Sequence, residues 1–144
     1  MIALYAGSFD PFTVGHLDIA NRALQLFGKL VIGIGYNETK QGEHTVEERL
    51  NAIKRIFAGN PAVSVATYQG LTVDFAKSVG AGVLVRGVRN GTEFEKEKEL
   101  ADINQAVSGL QTVMLPCRPE LSFVSSSMVR ELQHNGFDAS EFLP

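Results

Sequence analysis

The sequence contains little from which a disulfide framework or a membrane anchor could be built. Cys117 is the only cysteine among 144 residues, so neither an internal disulfide nor a multi-thiolate metal site can form. No stretch approaches the ~20 consecutive apolar residues of a membrane span, and the apolar run at residues 1–6 lacks the basic segment of a secretory signal. These absences predict an unprocessed, soluble protein of the cytoplasm that does not bind membranes.

The chain also lacks an excess of positive charge and any region that would separate two domains. Its formal net charge is -3, which argues against nucleic-acid binding by bulk electrostatics, so any phosphate ligand must meet positive groups that are gathered locally. No tract rich in proline, glycine, serine or charge divides the sequence, and 44% of the residues are hydrophobic. We therefore predict one domain over residues 1–144.

Short apolar runs alternate with segments of helical spacing along the whole chain. The runs are rich in valine, isoleucine and leucine, as expected of strands buried on both faces, and cover residues 2–6, 30–34, 63–66, 83–85 and 112–115. Apolar stripes predict helices over residues 17–27, 46–57 and 71–79, and further helices are predicted from about 92 to 107 and from 126 or 127 to 136. The alternation predicts a doubly wound (Rossmann-like) α/β domain with a five-stranded parallel sheet and helices on both faces. Ligands bind such sheets beyond the carboxyl ends of the strands.

The strongest functional pattern follows the first predicted strand and leads into the first helix. It reads Gly7-Ser8-Phe9-Asp10-Pro11-Phe12-Thr13-Val14-Gly15-His16. Gly7 allows the backbone to approach a ligand, and His16 falls at the positive end of the helix, where free N–H groups and an imidazole can bind a phosphate. A strand-to-helix loop with a turn at Asp10-Pro11 and an inconsequential histidine would explain the spacing about equally well.

A pair of arginines follows the fourth predicted strand in the sequence Arg86-Gly87-Val88-Arg89. Guanidinium groups at the carboxyl end of a strand are suited to gripping phosphate oxygens. The alternative is that these arginines form solvated ion pairs with Glu93 or Glu95.

A hydroxyl cluster and a lysine lie after two other strands. Ser125, Ser126 and Ser127 begin the last helix, where they either cap its N-terminus or help to hold a triphosphate. No Gly-x-Ser-x-Gly elbow surrounds them, so a nucleophilic serine is not expected. Lys40 follows the second strand and is either a phosphate clamp or an ordinary exposed loop lysine.

Taken together, these motifs resemble the bacterial phosphopantetheine adenylyltransferases of the nucleotidyltransferase superfamily. The resemblance spans nearly the whole chain and rests most specifically on the Arg-Gly-Val-Arg block and on Phe123-Val-Ser-Ser-Ser-Met-Val129. It implies transfer of AMP from ATP to 4′-phosphopantetheine with Mg²⁺, release of pyrophosphate and assembly as a homohexamer. Feedback binding of coenzyme A is a further hypothesis, because coenzyme A would share the phosphate and pantetheine contacts. Gln41 and Gly42 follow Lys40 where many members have a basic residue and a proline, which predicts a looser loop.

Residue roles follow from the same resemblance by position. His16, Lys40 and Arg89 are implied to be catalytic. The implied contacts of phosphopantetheine are Ser8, Lys40, Thr72 and Arg86. The implied contacts of ATP are Ser8, Phe9, His16, Gly87, Val88, Arg89, Glu97, Ser122, Phe123, Val124, Ser125, Ser126, Ser127 and Met128.

The chemistry of the residues agrees with such a reaction, because a phosphate nucleophile is already anionic and needs no general base. Magnesium would be held by phosphates and water, so the sequence names no metal ligand. His44 and His134 have no metal-type ligands beside them and are interpreted as surface or capping residues. Two alternatives stay open: transfer to another acceptor, such as nicotinamide mononucleotide or a glycerol phosphate, and a catalytically silent sensor of nucleotide or coenzyme A.

Overall fold

The structure, a computed structural model, describes residues 1–144. Five strands and five α-helices alternate along the chain. The strands are β1 (Ile2–Gly7), β2 (Lys29–Gly35), β3 (Val63–Tyr68), β4 (Ala81–Val88) and β5 (Thr112–Pro116). The helices are α1 (Val14–Phe27), α2 (Val46–Ile56), α3 (Thr72–Ser78), α4 (Gly91–Ser108) and α5 (Ser126–His134).

All five strands form one parallel sheet in the order β3-β2-β1-β4-β5, which confirms the doubly wound fold. The chain winds outward from β1 to β3 and then returns to place β4 on the other side of β1. The winding therefore reverses between β1 and β4, and this reversal opens a crevice at their carboxyl ends. The motifs that follow these two strands lie at that crevice.

The side chains of β1 alternate between two apolar clusters, one on each face of the sheet. Ala3 and Tyr5 lie in the cluster that includes buried residues of α1 and α2, whereas Leu4 and Ala6 lie in the cluster that includes those of α3. Helices on both faces are thus confirmed. α4 buries none of its residues fully, in agreement with its polar composition.

Local signals set several helix boundaries as predicted, with one error. Thr45 and Glu48 form a capping box at the start of α2, with the Glu48 N–H donating to the Thr45 hydroxyl at 3.1 Å. The predicted place of Leu71 in the apolar stripe of α3 is wrong. Leu71 is the N-cap and is 63% exposed, because the helix begins one residue later. No helix combines the length and apolar character that crossing a bilayer requires.

Candidate active site

A cleft of about 470 Å³ opens at the carboxyl ends of β1 and β4, beside the N-termini of α1 and α5. It brings together residues from three of the predicted motifs, which are far apart in the sequence. The predicted residues in its walls are Ser8, Phe9, His16, Arg86, Gly87, Arg89, Glu97, Val124, Ser125, Ser126 and Ser127.

Two smaller depressions adjoin this cleft and hold the remaining predicted acceptor contacts. Lys40 lies in a depression of about 460 Å³ that shares Ser8 with the cleft. Thr72 lines another, of about 300 Å³, whose wall includes Arg86 and Glu97. Ser8 thus lines both the cleft and the depression of Lys40, and Arg86 lines both the cleft and the depression of Thr72.

Four residues predicted to contact ATP lie outside the walls of the cleft. They are Val88, Ser122, Phe123 and Met128. The Phe123 ring is 59% exposed and packs edge-on against the Phe142 ring at 5.7 Å. The N–H of Met128 donates to Ser125. A role for these residues in nucleotide binding stays a prediction.

His16 occupies the third position of α1 and is fixed there by Thr13. The Thr13 hydroxyl accepts from the His16 N–H at 3.3 Å, and the Thr13 N–H donates to His16 Nδ1 at 2.9 Å. Nδ1 is therefore the unprotonated nitrogen of the neutral ring, and the proton lies on Nε2. Because Nε2 has no hydrogen-bond partner in the protein, it is available to a ligand in the cleft.

Aromatic side chains and two arginines keep the His16 ring neutral. The ring centroid lies 5.1 Å from that of Phe9, 5.4 Å from that of Phe12 and 6.4 Å from that of Tyr5. Burial, with smaller effects from the Arg86 and Arg89 charges, lowers the pKa of His16 to about 4. At neutral pH this side chain is consequently a hydrogen-bond donor and not a cation.

The backbone after β1 adopts a conformation that places Phe9 beneath His16. Phe9 has a φ of 49°, in the left-handed region that side chains other than glycine rarely adopt. Its ring lies where a side chain at residue 7 would stand, since a Cβ on Gly7 would come within 3.1 Å of it. Gly7 therefore serves the packing of Phe9 as well as the turn.

Each arginine of the Arg-Gly-Val-Arg block is paired with a carboxylate of α4. Arg86 donates through Nε and a terminal nitrogen to Glu97 at 2.9 and 2.7 Å, and it also donates to the Ala6 carbonyl. Arg89 forms an ion pair with Glu93, as the ion-pair interpretation allowed. Arg86 uses three of its five N–H donors in these contacts, so two remain for a ligand.

The cleft is positively charged although the chain is acidic. Its walls carry the cations Arg86, Arg89, Lys96 and Arg130 against two carboxylates, those of Glu93 and Glu97. Sequence reasoning did not identify Lys96 and Arg130. Arg130 lies one helical turn after Ser126 on α5, a spacing that could have placed it on the same face. This excess of positive side chains agrees with the prediction that a phosphate ligand must bind positive groups gathered locally in an acidic chain.

The three serines that begin α5 make different contacts. Ser125 is the N-cap of α5 and accepts from the Met128 N–H at 3.1 Å, as the capping interpretation predicted. Ser126 donates to the Pro11 carbonyl at 2.7 Å, which ties α5 to the loop after β1. Ser127 contacts the Ser125 hydroxyl at 3.1 Å. Of the three, only Ser126 hydrogen-bonds to another segment of the chain.

Neither a metal cluster nor an activated thiol forms part of the site. No three histidine, cysteine or acidic side chains converge as metal ligands would. Cys117 lines the cleft, but burial and the Asp18 charge raise the pKa of its thiol. The thiol is thus protonated at neutral pH, as expected of an inert cysteine.

Comparisons with known proteins identify the family. A family model described as cytidylyltransferase-like matches residues 4–132. A phosphopantetheine adenylyltransferase of Porphyromonas gingivalis is 52% identical over 143 residues, which cover 99% of this chain and 94% of that protein. One of Cutibacterium acnes is 42% identical over 144 residues, covering 100% of this chain and 92% of that protein.

The fold is shared with a more distant solved structure. The crystal structure of a bifunctional NMN adenylyltransferase/ADP ribose pyrophosphatase from Francisella tularensis matches with a TM-score of 0.75 at 16% identity. The match covers 99% of this chain and 44% of that one. At this identity the likeness concerns the fold alone. By the family model and the close relatives, the chain belongs to the cytidylyltransferase-like family and, within it, to the phosphopantetheine adenylyltransferases.

Proposed function

We propose that the protein transfers the adenylyl group of ATP to 4′-phosphopantetheine and releases dephospho-coenzyme A and pyrophosphate. The observation that carries this proposal is the convergence of His16, Arg86 and Arg89 in one cleft at the N-termini of two helices. Such a cleft stabilises negative charge on phosphates through fixed N–H donors and cations. The close relatives are phosphopantetheine adenylyltransferases, which indicates phosphopantetheine as the acceptor.

The transfer proceeds by direct in-line attack, without a covalent enzyme intermediate. The acceptor phosphate is an anion at neutral pH and attacks the α-phosphorus of ATP without help from a base. The reaction therefore requires hydrogen-bond donors that stabilise negative charge, and it does not require a general base. The Nε2–H of His16 is such a donor, because the ring is neutral and its other nitrogen is occupied by Thr13. It would donate to an α-phosphate oxygen as negative charge builds there.

The two substrates meet at Ser8. ATP occupies the cleft around His16 and Arg89, and the acceptor occupies the neighbouring depression that contains Lys40. Ser8 lines both spaces, and Arg86 lines both the cleft and the depression of Thr72, so phosphate groups on either side come close together. Holding two anions at attack distance accounts for much of the rate enhancement available to such an enzyme.

Magnesium belongs to the proposal as a partner of the nucleotide. Mg²⁺ is commonly held by substrate phosphates and water with few protein carboxylates. The site fits that pattern, because Glu93 and Glu97 are engaged with arginines and no cage of acidic groups surrounds the cleft. When bound, the ion would neutralise negative charge on the pyrophosphate leaving group. The protein's own residues bind and orient the substrates.

Homo-oligomer formation, as a homohexamer, is also part of the proposal. α4 presents three apolar side chains on one exposed face, Leu100, Ile103 and Val107, which are 52%, 51% and 65% exposed. An apolar stripe of this kind favours burial against another surface.

Feedback binding of coenzyme A at the substrate site is also proposed, since coenzyme A contains both halves of the product. A cytoplasmic location, as expected of a metabolic enzyme, completes the proposal.

Pyrophosphate release from a panel of acceptors tests the activity. Purified protein with ATP and Mg²⁺ is given 4′-phosphopantetheine, nicotinamide mononucleotide or glycerol 3-phosphate in separate reactions. We expect release with phosphopantetheine alone. Pyrophosphate release only with another acceptor would overturn the assignment of phosphopantetheine as the acceptor. No pyrophosphate release with any acceptor would favour a catalytically silent nucleotide sensor.

A further inference from the structure

The carboxylate of Asp10 joins two loops that are far apart in the sequence. It is 6% exposed, and it lies in the loop after β1. One of its oxygens accepts from the Glu43 N–H at 2.7 Å, and the other accepts from the His44 N–H at 2.9 Å. The Nδ1 atom of His44 approaches the second oxygen at 2.7 Å. The side chain of His44 is 34% exposed, and its contact with a buried carboxylate was not part of the surface-or-capping interpretation.

Gly42 leaves the space that Asp10 occupies. A Cβ at residue 42 would stand 2.2 Å from Asp10 Oδ2, so no other residue fits there while the carboxylate holds its bonds. The glycine after Gln41 predicted a loose loop. The contacts of residues 42–44 show instead that the glycine allows this end of the loop to be anchored.

Arg49 makes a second connection between the same two loops. Its guanidinium, in a residue that is 9% exposed, donates to the Ser8 carbonyl at 2.9 Å and to the His44 carbonyl at 3.2 Å. Its charge also helps the hydrogen bonds to His44 and Glu43 to hold the pKa of Asp10 below its usual value, against the opposing effect of burial. We call Asp10, Gly42, His44 and Arg49 the latch.

Lys40 lies in the same depression as three residues of the latch. The ammonium of Lys40 makes no ion pair or hydrogen bond, and only its backbone N–H is bonded, to the Asn37 carbonyl at 3.0 Å. Gly42 follows two residues later. The depression around Lys40 is itself walled by Asp10, Gly42 and Arg49 of the latch. The loop of Lys40 is thus bonded on one side to Asn37 and on the other, at residues 43 and 44, to Asp10.

We propose that Asp10 is a positioning residue, which through the latch holds the loop of Lys40 at a fixed distance from the cleft of His16. The acceptor phosphate, gripped by Lys40, then meets the nucleotide at Ser8. This inference rests on the proposed function, since it concerns the spacing between acceptor and nucleotide. Displacement of a bound reactant by about 1 Å can reduce a rate about a hundredfold.

Substitution of Asp10 is expected to affect the acceptor much more than ATP. Asp10→Asn removes the charge and one acceptor while keeping the shape, and Gly42→Ala disturbs the same contact from the opposite side. For both we expect kcat/KM for phosphopantetheine to fall about 10–100-fold and the Kd for ATP to change less than about threefold. Asp102→Asn is the matched control, because Asp102 pairs only with Lys98 on the exposed surface of α4.

A double-mutant cycle with Lys40 separates positioning from general damage. If Asp10 acts through Lys40, then Asp10→Asn should cost much less in a Lys40→Ala background than in the wild-type protein. Equal losses in the two backgrounds, or an equal weakening of ATP and acceptor binding, would overturn the proposal.

Hydrogen exchange provides a measurement that does not depend on the reaction. The Glu43 and His44 amides donate to Asp10, so Asp10→Asn should speed their exchange at least about tenfold while amides in β1 remain protected. Unchanged exchange at these two amides would overturn the latch. If the wild-type protein is inactive with phosphopantetheine but Asp10→Asn still speeds exchange at these two amides, the proposed function is refuted and the latch is not.

Discussion

The backbone N–H of Thr13 donates to Nδ1 of His16 at 2.9 Å, and this contact determines which nitrogen of the imidazole carries the proton. With Nδ1 accepting, the neutral ring presents Nε2–H to the cleft. The same contact is half of the capping box that begins α1. A single turn of helix thereby fixes both the position of the side chain and its chemical role.

Two amide substitutions at His16 test which nitrogen faces the substrate. The amide of glutamine can place an N–H near the position of Nε2, whereas that of asparagine reaches only the position of Nδ1. We expect His16→Ala and His16→Asn to reduce kcat about 100–1000-fold and His16→Gln to lose less. ATP affinity should change little in all three, because the contact strengthens in the transition state. Higher activity of His16→Asn than of His16→Gln would contradict the tautomer.

The lowered pKa of His16 makes stability depend on pH. Unfolded histidine binds a proton near pH 6.5, whereas folded His16 does so near pH 4, so the unfolded state holds more protons between these values. The free energy of unfolding therefore falls as the pH decreases from about 6.5 to about 4. At pH 5 this histidine should contribute about 2 kcal/mol of that loss.

Urea unfolding of the wild type and of His16→Gln at pH 7 and pH 5 measures this contribution. The other titrating groups are common to both proteins and cancel in the comparison. We expect the wild type to lose about 2 kcal/mol more than the variant on acidification. Identical pH dependence in the two proteins would show that the ring is not held neutral by its surroundings.

The ion pair between Arg86 and Glu97 should show strong coupling in stability. Arg86→Ala leaves a Glu97 side chain that is only 14% exposed without its partner, and we expect a loss of about 1–3 kcal/mol. The double variant with Glu97→Ala should recover part of this loss, since no unpaired carboxylate remains. Additive losses in thermal or urea unfolding would indicate that the two side chains act independently.

Gly87 should be required for packing between β4 and α1. A Cβ on this residue would meet Ile19 Cγ1 at 2.9 Å, so Gly87→Ala is expected to destabilise the fold by about 1–3 kcal/mol. Gly91→Ala is the matched control, because a Cβ there meets no atom within 4 Å. If Gly87→Ala and Gly91→Ala have the same free energy of unfolding, the close packing of β4 against α1 at Gly87 is contradicted.

The fold could be predicted largely from sequence because its signals are local. Buried strands, apolar helical stripes and the capping box at Thr45 each depend on a few neighbouring residues. The same holds for the placement of His16 at the start of α1. Leu71 was misplaced because an apolar residue at helical spacing can equally be an exposed N-cap, and only the packed structure distinguishes the two.

The contacts within the site were less predictable because they join segments distant in the chain. The partner of Arg86 is set by the way α4 crosses the end of β4, and the sequence suggested Glu93 or Glu95 instead of Glu97. The partners of Asp10 lie 33 and 34 residues away. Local reasoning interpreted Asp10 as a turn former and His44 as a surface residue for the same reason.

The stereochemical course of the transfer tests the central claim most directly. ATP made chiral at the α-phosphorus by a sulfur substituent is incubated with the protein, Mg²⁺ and 4′-phosphopantetheine, and the configuration of the product is determined. A single in-line attack in the cleft inverts this centre, so we expect the thio-adenylyl group on phosphopantetheine with inverted configuration. Retention would contradict direct attack by revealing a covalent intermediate, and failure to label phosphopantetheine would contradict the proposed activity itself.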